Sequence, residues 1–483
     1  MIDASDAFSE GWWFKRLLTE LRTRVARYDL LDRYMRGDAP LPPGPKQHEN
    51  AYRWLQKKAR ANWASLIVEA LVERMTVAGF RTAASDIEGD SEAWAMWQAN
   101  NLDADSRLVH RTKAALGDAY VIVGDVPAGG RYPLITAEDP RQVVVAKDPT
   151  NRRRVVAALK VFADDAAGVE RAYLYLPGVV HRAERELNES SLARARGDAT
   201  LAGWEWVSSD RLPVQAVPVV HFPNRADLYG RTLGEFEDVT DELDRLNIGL
   251  LQRLSVAINQ AFRQRAVKGN LPTHDENGNP IDWSKELELG FATMWSLPAD
   301  IEIWESAGVD LTPLLESVKA DARDLAAVTR TPMFYLFPDA ANGSAEGASL
   351  QREGLIFKAK DRIAETSDPW EQTIALGFEW MGDLERADRT KIEVIWLPPE
   401  RSSLAEQHDA NIKAKAGDVP WRTRMQTILQ YTPAELDRME QERVREFATD
   451  PMTLIMDEIQ RAQVPGDVQA AINPRSAPDG VES

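Results

Sequence analysis

Cysteine is missing altogether from the 483 residues. That removes disulfides, thiolate metal sites and a cysteine nucleophile, and makes a reducing compartment the expected one. Histidine is scarce: His48, His110, His181, His221, His274 and His408 lie too far apart for a short metal motif such as H-E-x-x-H. Each reads as a core or surface histidine. No window approaches the roughly 18 uninterrupted apolar residues a membrane helix needs. The opening stretch MIDASDAFSEGWWFKRLLTELRTR has neither the cationic start, the apolar core nor the small-residue cleavage site of a secretory signal, so cytoplasm is the expected compartment. Basic residues are outnumbered, 58 Lys and Arg against 76 Asp and Glu, for a net charge of -18. Such a balance argues against adhesive, nonspecific binding to nucleic acid.

Signature motifs for catalysis are absent too. The sequence contains no G-x-x-x-x-G-K-[ST], no G-x-G-x-x-G after a strand and no G-x-S-x-G. Gly343-Ser344-Ala345-Glu346-Gly347 has no suitably placed base and follows no buried strand, so it reads as a small-residue loop. Asp103-Ala-Asp105 reads as an N-terminal helix cap before Arg107 to Leu116 rather than a hard-cation site. No catalytic, metal or cofactor residue is therefore assigned.

What is present is mostly helix, with β-rich runs in the first half. Length allows about two to four domains. Ser9 to Arg36 and Tyr52 to Ala78 predict two helices, the second ending at Gly79, and Trp94, Trp97 and Leu108 to Leu116 suggest two more. From Tyr120 the pattern changes to short strands: Tyr120 to Val126, Arg131 to Thr136, Val143 to Ala146, Val155 to Phe162, Ala172 to Leu176 and Val217 to Phe222. They read as an antiparallel meander with polar loops at Ala163 to Gly168 and Glu184 to Asp198. Most of the 15 tryptophans fit packing between elements or subunits better than a ligand cage.

The most informative stretch runs from Gly230 to Asp383. Leu243, Leu246, Leu250, Leu254, Ala257 and Ala261 recur three or four residues apart, one face of a long helix that Gly269 would stop. Asp275, Asn277, Gly278, Asn279 and Pro280 make an exposed turn cluster, and a second and a third helix follow. A helix leaving a body and another returning to it form a stalk. Acidic Glu235, Glu237, Asp238, Asp241, Glu242 and Asp244 crowd the first helix's start, and Arg253, Arg263, Arg265 and Lys268 its end. The helix dipole explains that polarity, and a basic end beside phosphate or a partner protein explains it equally well. Beyond the third helix a strand, Lys391 to Leu397, closes at Pro398 and Pro399, and a helical part runs from Ser402 to about Gln463. The last 20 or so residues read as a disordered tail.

In this order and spacing, NWASLIVEALVERMTVAGF from Asn62, GDAYVIV from Gly117, PVVHFPNRADLYGRTLGEFEDVTDELDRLN from Pro218, TPMFYLFPDAANGSAEGASLQ from Thr331 and WLPPERSSLAEQHDANIKAKAGDVPWRTRMQ from Trp396 give a chain that resembles the portal proteins of tailed bacteriophages. The likeness is to those of siphophages infecting actinobacteria above all, and it covers most of the chain.

The resemblance implies a predominantly helical α+β fold divided into wing, long-helix stem, clip and helical crown. Residues 1–230 and 349–400 would be wing, 231–268 and 309–331 the stem helices, 269–308 the clip, 332–348 a tunnel loop, 401–463 the crown and 464–483 the tail. Asp339, Asn342, Gly343, Ser344, Glu346 and Gly347 would then face the DNA channel, with Arg263, Arg265 and Lys268 as basic residues near the clip. It also implies a homododecamer at one capsid vertex, assembled in host cytoplasm and passing double-stranded DNA. Its partners would be a terminase motor, a head-completion adaptor, and major capsid and scaffolding proteins. No catalysis, cofactor or membrane is implied. Two other readings remain open from the residues alone. One is a metal-dependent nuclease or phosphohydrolase around Asp238 to Asp244. The other is a non-portal virion adaptor or scaffold.

Overall fold

The computed structural model describes residues 2–40, 49–84, 89–187, 200–261, 265–269, 273–274, 278, 280–281, 302–305, 307–336, 345–400 and 404–449. Ser9 accepts a hydrogen bond from the Trp12 amide at 3.2 Å and so starts α1, Glu10–Met35. This long helix serves two cores. Phe14, Leu17, Leu18 and Leu21 pack on a five-stranded sheet, while Tyr28, Leu31 and Tyr34 pack among other helices.

The predicted helix from Tyr52 to Ala78 is instead two helices and a strand. α2, Glu49–Ala59, ends before Asn62, whose side chain accepts from the Ser65 amide and starts α3, Trp63–Val72. β1, Val77–Arg81, then pairs antiparallel with a strand more than 300 residues away. α4, Ser91–Ala99, is capped by Asp90, which accepts from Glu92 and Ala93 amides at 2.9 and 3.1 Å. α5, Leu102–Leu116, ends at Gly117, whose φ of 90° turns the chain straight into β2, Asp118–Val123. Asn101, not Asp103, sits at the N-cap of α5. Asp103 lies in the first turn and accepts from Trp97 Nε1 at 2.9 Å and Gln98 Nε2 at 2.8 Å, a packing role rather than the cap expected of it.

Strands β2 to β9 form two sheets, not one meander. β2 is central, flanked by β3, Ile135–Glu138, and β9, Val219–Pro223. A separate five-stranded antiparallel meander contains β4, Val143–Lys147, β5, Val155–Asp164, β6, Val169–Leu176, β7, Val179–Glu186, and β8, Glu205–Arg211. Strands β7 and β8 were not expected from the sequence. Tyr120, Ile122, Val143, Val145 and Val219 pack the two sheets together.

After β9 come α6, Thr240–Ala261, and α7, Thr312–Thr329. Between them the described residues include two strands, β10, Arg265–Lys268, and β11, Glu302–Glu305. A single turn of helix follows α7 at Met333–Leu336, and then α8, Ala345–Met381, the longest element. Its Trp370, Ile374 and Phe378 are fully buried with Phe80, Trp97 and Phe222. β12, Glu393–Trp396, is the strand that pairs with β1. Three helices, α9 Leu404–Ala416, α10 Trp421–Thr427 and α11 Pro433–Thr449, end the described chain.

Candidate functional site: the stalk and its base

Pair by pair, α6 and α7 prove antiparallel. Arg245 reaches Asp321 at 3.0 Å, and a Cβ on Gly249 would lie 2.9 Å from Val318 Cγ2. Farther out, Gln260 Nε2 donates to the Val309 carbonyl at 2.6 Å. The pairing continues without a change of direction into the ribbon, where Arg265 lies opposite Glu305 and Lys268 opposite Glu302. A helical hairpin thus becomes a two-stranded ribbon. Its inner seam is apolar near the body, with Leu243, Leu246, Leu251, Val318, Ala322 and Leu325 buried. Leu254 and Ala257, farther along, are only half-buried.

The stalk is not one helix from Arg231 to Lys268. Glu235, Glu237 and Asp238 precede α6, the last two in a single 3-10 turn, and Arg265 and Lys268 belong to β10. The dipole explanation of the charge pattern therefore holds only for Asp241 and Glu242 in the first turn, and no basic residue occupies the last turn. Lys268 is exposed beside Glu302 at 3.5 Å on the ribbon.

The acids at the base have partners in the body. Arg27 grips Glu237 with Nε and Nη2, both at 2.6 Å. Arg225 grips Asp238 at 2.7 and 3.0 Å, and Tyr34 donates to Asp244 at 2.8 Å. Deeper, Glu235 is buried between Lys358 Nζ at 2.9 Å and Arg362 Nε at 2.6 Å, both from α8. Lys358 also donates to the Thr329 carbonyl at the end of α7, at 3.1 Å. One helix therefore holds both legs of the stalk. Burial alone would raise the pKa of Glu235, but the Lys358 and Arg362 charges overcome it and bring it down to about 2. Sequence reasoning missed this clamp because Lys358 and Arg362 look like ordinary helix-surface cations until α8 is folded onto the stalk.

The same partners bear on the hydrolase reading. Asp238 and Asp244 are held by Arg225 and Tyr34, and among the described residues no group of three or more His, Asp and Glu is placed to hold a metal ion.

Residues 15–446 match the family model described as "Phage portal protein, SPP1 Gp6-like". The chain belongs to this family of phage portal proteins. Among relatives, it is 28% identical over 403 residues to the portal protein of Mycobacterium phage D29, covering 79% of this chain and 78% of that one. It is 27% identical over 404 residues to the portal protein of Mycobacterium phage L5, covering 80% and 78%. A solved chain from the "Neck of native GTA particle computed with C12 symmetry" aligns over 80% of this chain and 94% of its own, at 11% identity and a TM-score of 0.44. As a phage portal protein the molecule is a structural component of the virion.

The portal match spans the body, the stalk and nearly all of the described C-terminal helices. Of the channel residues expected from the sequence, Asp339, Asn342, Gly343 and Ser344 lie outside the described residues, as does Arg263. Glu346 and Gly347 fall in the first turn of α8, which begins at Ala345 rather than near Ser349. Met333–Leu336, also within the expected 332–348, is helical.

Proposed function

We propose that copies of this portal chain close into a ring of twelve at one capsid vertex, a passive conduit through which double-stranded DNA is packaged and later ejected. The observation that carries this reading is the antiparallel α6–α7 hairpin that continues into the β10–β11 ribbon, clamped at its base by α8. In the ring, α6 and α7 are the stem, the ribbon and residues 269–308 the clip, and the helices before and after the stem, with both sheets, the wing. Residues 404–449 belong to the crown. The half-buried outer seam of α6, with exposed Ile248, offers apolar surface to adjacent copies, as heterologous contacts that close on themselves require.

The stretch 332–348 is the tunnel-loop region, with Asp339, Asn342, Gly343, Ser344, Glu346 and Gly347 toward DNA. An acidic chain suits a channel that must not grip its cargo, because like charge repels the phosphate backbone. The clip docks the terminase motor and later the head-completion adaptor, and Arg265 and Lys268 stand on the ribbon leading to it. The wing meets the capsid and scaffolding proteins. No catalysis is assigned to the chain itself. Negative-stain imaging of purified protein tests the reading: rings with a central hole are expected, and a strictly monomeric species at every salt concentration would contradict it.

A further inference from the structure

Away from the stalk, a cleft of about 1250 Å3 opens between α1, the ends of β2, β4 and β9, and the turns at 148–153 and 226–230. That is ample for a mononucleotide-sized ligand, since small-molecule sites usually occupy about 300–1,000 Å3. Two polar side chains in its lining face each other across paired strands. Tyr120 on β2 lies opposite His221 on β9, and their rings stack with centroids 4.9 Å apart. Tyr120 is fully buried and the His221 side chain is 9% exposed, yet neither the Tyr120 hydroxyl nor His221 Nδ1 has a hydrogen-bond partner among the described residues. An unpaired buried polar atom is destabilising, and a ligand or water that bonds to it recovers the loss.

The hydrogen bonds around His221 decide what Nδ1 can do. Nε2 lies 2.7 Å from Asp118 Oδ1, and Asp118 also accepts from Tyr28 and Thr232 at 2.7 and 2.8 Å. Burial would raise the Asp118 pKa, but these bonds and the nearby arginines hold it well below the usual carboxylate range, so it is an acceptor only. Nε2 must then carry the proton. Burial keeps the ring neutral, and Nδ1 presents a lone pair.

Above this pair the cleft is cationic in an acidic protein. The side chains of Lys147, exposed at the end of β4, and of Arg153 have no hydrogen bond or ion pair among the described residues, and the Arg24 guanidinium pairs with Glu20. The other carboxylates in the lining are occupied: Asp148 by Thr150 and Asp227 by Arg231. A ligand must bring negative charge to Lys147 and Arg153, accept from Tyr120 and donate to His221 Nδ1. Hydrogen phosphate does all of these at pH 7, because even its dianion keeps a P–OH, and a phosphate monoester does so as its monoanion, the form that prevails below its second ionisation near 6. Sulfate and a backbone phosphodiester lack the proton.

We propose that this cleft is a binding site for phosphate in its monoester or free form, recognised by Lys147, Arg153 and Tyr120 as donors and His221 Nδ1 as acceptor. The proposal is independent of ring formation. Calorimetric titration of the full-length chain in phosphate-free buffer at pH 7, with sodium phosphate and with sodium sulfate at equal ionic strength, tests it. Phosphate is expected to saturate a single site and sulfate to bind at least about tenfold more weakly, the cost of one hydrogen bond to a charged group. Lys147→Ala is expected to weaken phosphate roughly ten- to a hundredfold, and Tyr120→Phe to weaken it with thermal unfolding still cooperative. Equal binding of the two anions, or phosphate binding unchanged in both variants, would overturn the proposal.

Competition identifies the source. A 5′-phosphorylated oligonucleotide that displaces phosphate where its 5′-hydroxyl counterpart does not would assign the site to DNA ends. Displacement by neither would assign it to free phosphate or small monoesters. Equal displacement by both oligonucleotides would mean a nonspecific polyanion surface and would sink the proposal.

Discussion

Glu235 is the residue on which the stalk's attachment turns. It is buried with two cations from α8, and one of those cations also holds the end of α7. Removing its charge leaves Lys358 buried without a carboxylate partner, while Arg362 keeps Asp361 and Glu365, a loss of about 3–5 kcal/mol for a broken buried pair. Glu235→Gln is therefore expected to lower the melting temperature markedly at pH 7. The pH dependence has a definite sign. The Glu235 pKa falls from 4.5 unfolded to about 2 folded, so its contribution is full above pH 4.5 and is lost as pH falls through 2. The gap between wild type and variant, followed by chemical denaturation from pH 7 down to pH 3, should narrow on acidification. A constant gap would show that the charge is not the source. His110 acts in the same direction: fully buried and accepting from Trp370 Nε1 at 2.9 Å, it is pushed by burial from 6.5 to about 3. Its contribution is present above pH 6.5 and is lost as pH falls through 3. A Glu235→Gln background isolates the His110 part of the acid sensitivity.

At the scale of elements, the close approach of α6 and α7 depends on Gly249, where even a Cβ would crowd Val318. Gly249→Val is expected to cost about 1–3 kcal/mol by overpacking. Gly249→Val with Val318→Ala should recover part of that, and a double-mutant cycle by urea denaturation checks the coupling. The helices of the stalk were legible because their apolar spacing repeats at 3.6 residues. Other elements were hidden for physical reasons. Arg60-Ala61-Asn62 contains no glycine or proline, so the break between α2 and α3 is visible only once Asn62 is seen capping and Asn247 accepts from the Ala61 amide. β1 finds its partner, β12, across most of the chain, a pairing no local pattern announces. β7 and β8 present charged faces, with Arg185 and Glu170 satisfying each other in the sheet's buried side, so alternation of apolar residues never appears. β10 follows α6 closely and contains Arg265 and Lys268, which read as the basic end of a helix. The clamp of Glu235 by α8 and the Tyr120–His221 cleft are products of tertiary contact alone.

For the whole molecule, the body and the stalk are joined by buried cores and the clamp, whereas among the described residues α9, α10 and α11 bury only Arg424, Met425, Pro433 and Leu436. A chain truncated after Pro399 is accordingly expected to keep its cooperative unfolding and to form rings or near-rings, as sizing and negative stain would show. Loss of all assembly on truncation would move the intersubunit contacts into the C-terminal helices. The most direct measurement is a cryo-electron microscopy class average down the ring axis of the full-length protein, extended to a reconstruction that resolves helices. The expected result is a closed ring of twelve, with α6 and α7 of every copy around the central hole and the β10–β11 ribbon at one end. A ring with these helices on its outer rim, or no ring at all, would contradict it.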